Sequence, residues 1–265
     1  MQEKKLLISF DYELFLGNRS GNITDCLFDP TNKVLEVIEA RHAKAIFFVD
    51  TTYLLTLKKN SHRNEKIKYD FEKVCAHVAS LVKRGHYVYP HLHPHWLDAE
   101  YIEKTNEWRL NSTAKYRFNY CTQQEREEVF VGSMQLLNDI IKPVDANYKI
   151  DAYRAGGWCI QPFENFLPFF KKHNFLYDFS VLGGFYLFSN AQYFDFSSAP
   201  EKSIYKFSND ITVEDAKGML TEFNISSIHV SKATKFAEKI FLKILTKVFN
   251  DHSYHRGEGQ ILLTR

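Results

Sequence analysis

Short apolar runs recur along this chain, and most of them stop abruptly at groups that can do chemistry. Lys5-Leu6-Leu7-Ile8-Ser9-Phe10 stops at Asp11-Tyr12-Glu13, and Ala45-Ile46-Phe47-Phe48-Val49 at Asp50-Thr51-Thr52. Tyr87-Val88-Tyr89 runs into His91-Leu92-His93-Pro94-His95, residues 149–153 into Arg154-Ala155-Gly156-Gly157, and residues 175–177 into Asp178-Phe179-Ser180. Runs this short and apolar read as buried strands. Between them the apolar spacing turns helical, as in Val34, Leu35, Val37 and Ile38, or Val74, Val78, Leu81 and Val82 before the stop at Gly85. Residues 122–141 read as a further helix, opened by Thr122 with Glu125 three positions on. Strand–helix alternation of this kind predicts a parallel α/β barrel, whose chemistry gathers at the carboxyl ends of its strands.

The remaining segments are placed around that frame. Thr51 or Thr52 is expected to cap a short helix. The charged residues 58–69 read as an exposed loop, and residues 96–121 as a long loop over one end of the barrel. Residues 162–173 look helical, residues 183–218 β-ribbon, residues 219–223 a strand containing Glu222, and residues 233–249 a helix. The aromatic cluster Phe163, Phe166, Phe169 and Phe170 is expected in the core. No fixed-period repeat and no low-complexity linker interrupts the chain, so residues 1–265 are expected to form one domain.

Composition narrows the function. A net charge of +2 gives no footprint for nucleic acid. No apolar run approaches the ~18 residues of a membrane span. The start Met1-Gln2-Glu3-Lys4-Lys5 leads into too short an apolar stretch for a signal peptide, so a cytoplasmic location is expected. The four cysteines, Cys26, Cys75, Cys121 and Cys159, form no CxxC pair, which argues against a cysteine zinc site and fits reduced thiols.

The histidine run carries the sharpest chemical signal. Imidazole is the commonest protein ligand for zinc-like metals. On a strand His91, His93 and His95 share a face; if the chain turns helical after Pro94, His91 and His95 still converge at i, i+4. Either geometry makes a two-histidine chelate, against the blander reading of a polar, histidine-rich loop. Asp11 and Glu13, two apart, point the same way along an extended chain. Arg154 reads either as part of a site or as a structural ion-pair partner.

Taken in order, these stretches resemble the motifs of the NodB-like polysaccharide deacetylases, the carbohydrate esterase family 4 superfamily. Ile8-Ser9-Phe10-Asp11-Tyr12-Glu13 resembles the first motif, and Ala45-Ile46-Phe47-Phe48-Val49 the strand after it. Gly85-His86 with His91-x-x-x-His95 resembles the second, Tyr153-Arg154-Ala155-Gly156-Gly157 the third, and Tyr177-Asp178-Phe179-Ser180-Val181 the fourth. The resemblance spans residues 5 to about 225. It implies a distorted (β/α)7 barrel and a metal-dependent deacetylase that hydrolyses an N-acetyl amide on an amino sugar or polysaccharide intermediate. The implied ion is zinc, with cobalt or nickel as alternatives, held by Glu13, His91 and His95. Asp11 is then the base, Arg154 its orienting partner, His229 the acid and Asp178 the group that orients His229, while His93 is second shell, a third ligand or exposed.

Two departures matter. Tyr12 stands where the motif usually has its second aspartate, which makes this an Asp-x-Glu variant with Glu13 as the ligand. Ile228-His229 is the nearest match to the fifth motif; if it is not that motif, the chain ends before it. The competing readings are a catalytically degenerate deacetylase-like protein that binds a glycan or partner without turnover, and a metal-dependent amidohydrolase suggested by His91-x-His93. A Ser-His-Asp hydrolase lacks its Gly-x-Ser-x-Gly turn.

Overall fold

A computed structural model of the protein describes residues 6–15 and 20–227. The expected helix at 233–249 and His229 lie outside the described residues. Met1–Asn224 forms one compact unit.

Five parallel pairings build the main sheet. Its strands are β1 (Ser9–Tyr12), β2 (Ile46–Asp50), β3 (Tyr87–Leu92), β6 (Ala152–Ala155), β7 (Tyr177–Asp178) and β11 (Leu220–Phe223), with β10 (Ile204–Phe207) antiparallel on the far side of β11. The order is β1-β2-β3-β6-β7-β11-β10. The sheet is mixed and parallel-rich, and among the described residues no pairing joins β1 to β10. Its mixed character comes from the last strands. The chain returns from β10 to β11 as an antiparallel pair, with no helix between them to set up another parallel crossover.

The crossovers are helical where the periodicity was. α1 (Asp29–Glu39) links β1 to β2, α2 (Thr51–Asn60) and α3 (Glu65–Lys83) link β2 to β3, α4 (Gln123–Ile141) links β3 to β6, and α5 (Leu167–His173) links β6 to β7. Two start signals differ from expectation. Asp50, not a threonine, caps α2 by accepting from the Thr52 and Tyr53 amides, both at 3.1 Å. Asn64 caps α3, so part of the charged stretch 58–69 is helix with its charges in solvent. Thr122 and Glu125 form the anticipated reciprocal capping box of α4. The long connection 96–121 contains a hairpin, β4 (Ala99–Ile102) with β5 (Glu107–Leu110), and the segment 183–218 contains another, β8 (Tyr186–Phe188) with β9 (Tyr193–Asp195).

Phe163, Phe166, Phe169 and Phe170 are buried as expected, and Phe169 stacks on Phe130 of α4 at 4.5 Å. This aromatic layer fixes α4 and α5 against the sheet, and with it the carboxyl edge of β6. All four cysteines are free. Among the described residues no helix is long and apolar enough to cross a membrane.

Candidate metal centre

Strand register brings the chemical groups together. Asp50 is opposite His91, and His91 is opposite Arg154, so β2, β3 and β6 deliver them to neighbouring positions at the carboxyl edge. Strand alternation separates Tyr12 from its neighbours: its hydroxyl turns to His77 Nδ1 of α3 at 2.8 Å. Asp11 and Glu13 face the other way, Asp11 toward Arg154 and Glu13 toward His91 and His93.

Glu13, His91 and His93 converge. Glu13 Oε2 lies 2.7 Å from His93 Nε2 and 3.2 Å from His91 Nε2, and the two imidazole nitrogens are 3.0 Å apart. His91 Nδ1 donates to the Arg154 carbonyl at 2.9 Å, since a carbonyl can only accept. In the neutral ring that bond leaves Nε2 as the lone-pair nitrogen, and it orients the ring, the arrangement that prepares a histidine for a metal. The His93 amide donates to Thr52 Oγ1 at 3.1 Å, and Gly156 packs against its ring. A Cβ at Gly156 would come within 2.3 Å of the Leu92 carbonyl and 2.8 Å of His93 Nδ1.

These groups crowd charge into a dry space. Burial works against ionisation of Glu13, but His93 and His91 outweigh it and hold the carboxyl well below the usual range. Burial likewise opposes a charged His91, and Asp11, Glu13 and Asp50 overcome it, raising His91 to about 9. Asp50, pushed up to about 6 mainly by burial, also accepts from the Trp96 indole at 2.6 Å. Glu13 Oε2 and His93 Nδ1 are buried without a hydrogen-bond partner. Two imidazole nitrogens and a carboxylate oxygen, mutually within 4.8 Å, form the donor set of a zinc-class catalytic site. The residues present therefore fit such an ion.

His95 is not in that cluster. Pro94 opens a 3-10 turn (Pro94–Asp98), which ends the strand alternation that would have kept the three histidines on one face. The His95 ring instead stacks on Tyr116 at 5.1 Å, nearly parallel, and on Trp96 at 5.7 Å. Both of its nitrogens are buried and unpartnered, and burial, with His93 nearby, keeps it neutral. His93, by contrast, is buried at 1 % exposure and joins the cluster, so the exposed option for it falls away.

Arg154 connects this centre to the rest of the sheet. Its Nη1 donates to Asp11 Oδ1 at 2.7 Å, its Nη2 to Ser9 Oγ at 2.8 Å and its Nε to the Phe179 carbonyl at 3.0 Å. The guanidinium also lies over the Phe48 ring at 4.2 Å. Asp178 Oδ1 accepts from the Ser180 amide at 2.8 Å, and Asp178 is the register partner of Glu222; its expected partner His229 lies outside the described residues. Two groups carry no role in the sequence. Tyr116 gave no signal within its polar segment. Glu222 did: it is a carboxylate in the middle of the otherwise strand-like run Met-Leu-Thr-Glu-Phe.

No protein-family model matches the chain, and no curated protein matches its sequence. Among solved structures the chain is similar to a crystal structure described as a "putative polysaccharide deacetylase from Mycobacterium smegmatis", at 12 % identity and a TM-score of 0.40, over 91 % of this chain and 72 % of that one. At that TM-score the likeness carries no argument, and the functional reading rests on the site's own geometry and the motifs.

Proposed function

We propose that the protein is a metal-dependent hydrolase that removes an acetyl or similar acyl group from the amide nitrogen of an amino sugar. The observation that carries this reading is the convergence of Glu13, His91 and His93 beside the Asp11–Arg154 pair. The carbohydrate part of the reading comes from the motif resemblance, which also supports a distorted (β/α)7 arrangement for the whole sheet.

Glu13, His91 and His93 would hold a divalent ion, zinc or in its place cobalt or nickel. When bound, it would supply Lewis acidity toward the acyl oxygen and an acidified water. Asp11 accepts the proton from the attacking water, as a carboxylate at the open side of the centre can. Arg154 fixes where that carboxylate sits, because two of its three donors tie it to Ser9 and Phe179 while the third holds Asp11. The Arg154 carbonyl meanwhile fixes the His91 ring, so one residue orients both the base and a ligand. Tyr116 and Trp96 wall off His95 and exclude water from that flank. His229 as the acid, with Asp178 orienting it, lies beyond the described residues and enters no step.

The test is hydrolysis of N-acetylated amino sugars by zinc- or cobalt-loaded protein, with Asp11→Asn as the control. Loss of a general base typically costs about 10²–10⁴-fold in rate. The variant should lose turnover by that order and keep its metal. Activity within a few-fold of wild type removes Asp11 from the role of base.

A further inference from the structure

We propose that Glu222, through a carboxyl–carboxylate pair with Asp178, is a positioning residue that sets Arg154 and through it Asp11. Glu222 and Asp178 are register partners on adjacent parallel strands, and each is 0 % exposed. Arg154 acts on the pair as a cation, but its three donor nitrogens are all committed elsewhere, to Phe179, Asp11 and Ser9. The other polar groups packed around the pair are Tyr153 beside Asp178 on β6, Tyr205 beside Glu222 on β10, and Ser180. None of these carries a positive charge. Two adjacent carboxylates in such a place cannot both be ionised, and a shared proton is the available solution. Burial, together with the neighbouring Asp178, holds Glu222 protonated well above the usual range, so it donates to Asp178.

The pair clamps the turn that holds Arg154. Asp178 Oδ1 accepts from the Ser180 amide at 2.8 Å, and Glu222 Oε1 accepts from the Val181 amide at 3.0 Å. Ser180 Oγ accepts from the Ala155 amide at 2.9 Å, which ties the same turn to the residue after Arg154. Between these anchors sits the Phe179 carbonyl, the acceptor for Arg154 Nε. The Phe179 ring stacks on Phe223 at 4.8 Å and lies 5.3 Å from Phe48, the ring beneath the guanidinium. Removing Glu222 frees the Val181 amide and leaves Asp178 charged and alone. The carbonyl then shifts, and the Arg154 fork with it.

The consequence for turnover rests on the proposed roles of Asp11 and Arg154, so the deciding readouts are independent of activity. In wild type, infrared spectroscopy should show the carbonyl band of a buried carboxylic acid at neutral pH, and nuclear magnetic resonance should show a protected Arg154 Nε–H, assigned with Arg154→Lys. In Glu222→Gln the acid band disappears and the Arg154 signal stays, because the amide accepts from Val181 and donates to Asp178 without a proton to share. In Glu222→Ala the Arg154 signal moves or loses protection, metal content stays, and turnover falls by about ten- to a hundredfold, as expected for a slightly misplaced base. The proposal is overturned if wild type shows no acid band, if Glu222→Ala leaves the Arg154 signal unchanged, or, should that variant not fold, if Glu222→Gln loses the Arg154 signal. A wild type that binds no metal or turns over no amide would sink the deacetylase reading while leaving these spectroscopic results decisive.

Discussion

Glu13 with His91 and His93 on the β1–β3 side, and Asp178 with Glu222 on the β7–β11 side, are both clusters of ionisable groups at the carboxyl edge of one sheet. They handle their charge differently. The first sets two imidazole nitrogens and a carboxylate oxygen within 3.2 Å of one another, an arrangement that a cation completes. The second has backbone amides on both carboxyls and lacks only a proton between them. A centre built for a ligand is thus distinguishable from one built to hold a turn by what it lacks. Arg154 stands between the two, with its carbonyl on His91 and its Nε on the carbonyl of Phe179, the residue after Asp178.

The most severe break in this comparison is the loss of that link. Arg154→Met leaves Asp11, the Ser9 hydroxyl and the Phe179 carbonyl unpaired. Arg154 is buried while Asp11 is partly exposed, so losing the pair together with the bonds to Ser9 and Phe179 costs about 2–3 kcal/mol, and denaturant unfolding should register that loss. A loss near zero would mean the two clusters are not coupled through Arg154.

A smaller effect separates the proton-held cluster from the metal-held one. Asp178 is raised to about 6, chiefly by burial, from an ordinary 3.8, and Glu222 is raised further in the same direction. The folded protein therefore keeps protons that the unfolded chain releases. Stability from this pair is fully present below about 4 and is lost progressively as pH rises through 6 and beyond, by on the order of 3 kcal/mol for Asp178 alone. Glu222→Gln should flatten that slope, so the variant gains on wild type toward neutral pH. A parallel pair of stability–pH curves would contradict the shared proton.

The smallest effect is the control. Thr122→Ala breaks the capping box of α4, whose own hydrogen bonds go to neither cluster, and should cost about 1 kcal/mol with metal content unchanged. A loss of metal in this variant would mean the centre responds to general destabilisation.

Much of this was legible locally. β2 and the start of α4 follow from an apolar run and a capping box, features confined to a few residues. The Asp11–Arg154 partnership, 143 positions apart, was reachable because each residue ends its own strand. The histidine choice was not, because it depends on where strand alternation stops. Pro94 ends it before His95, and a ring from the insertion, Tyr116, takes His95 up. The helix over residues 65–83 starts inside a charged stretch because its cap is a single asparagine and its first turn lies in solvent. Glu222 was overlooked because its meaning lies in the strand beside it: only the register with Asp178 makes a strand carboxylate into half of an acid pair. Sheet closure likewise depends on the direction of β10, which short alternating runs do not specify.

The most direct test of the account is metal stoichiometry by elemental analysis, on wild type, His93→Ala and His95→Ala, each stripped and reloaded with zinc or cobalt. One tightly held ion in wild type and in His95→Ala, lost in His93→Ala, is the predicted result. An ion that survives in His93→Ala but not in His95→Ala would contradict the ligand set, and no ion in wild type would contradict the metal centre itself.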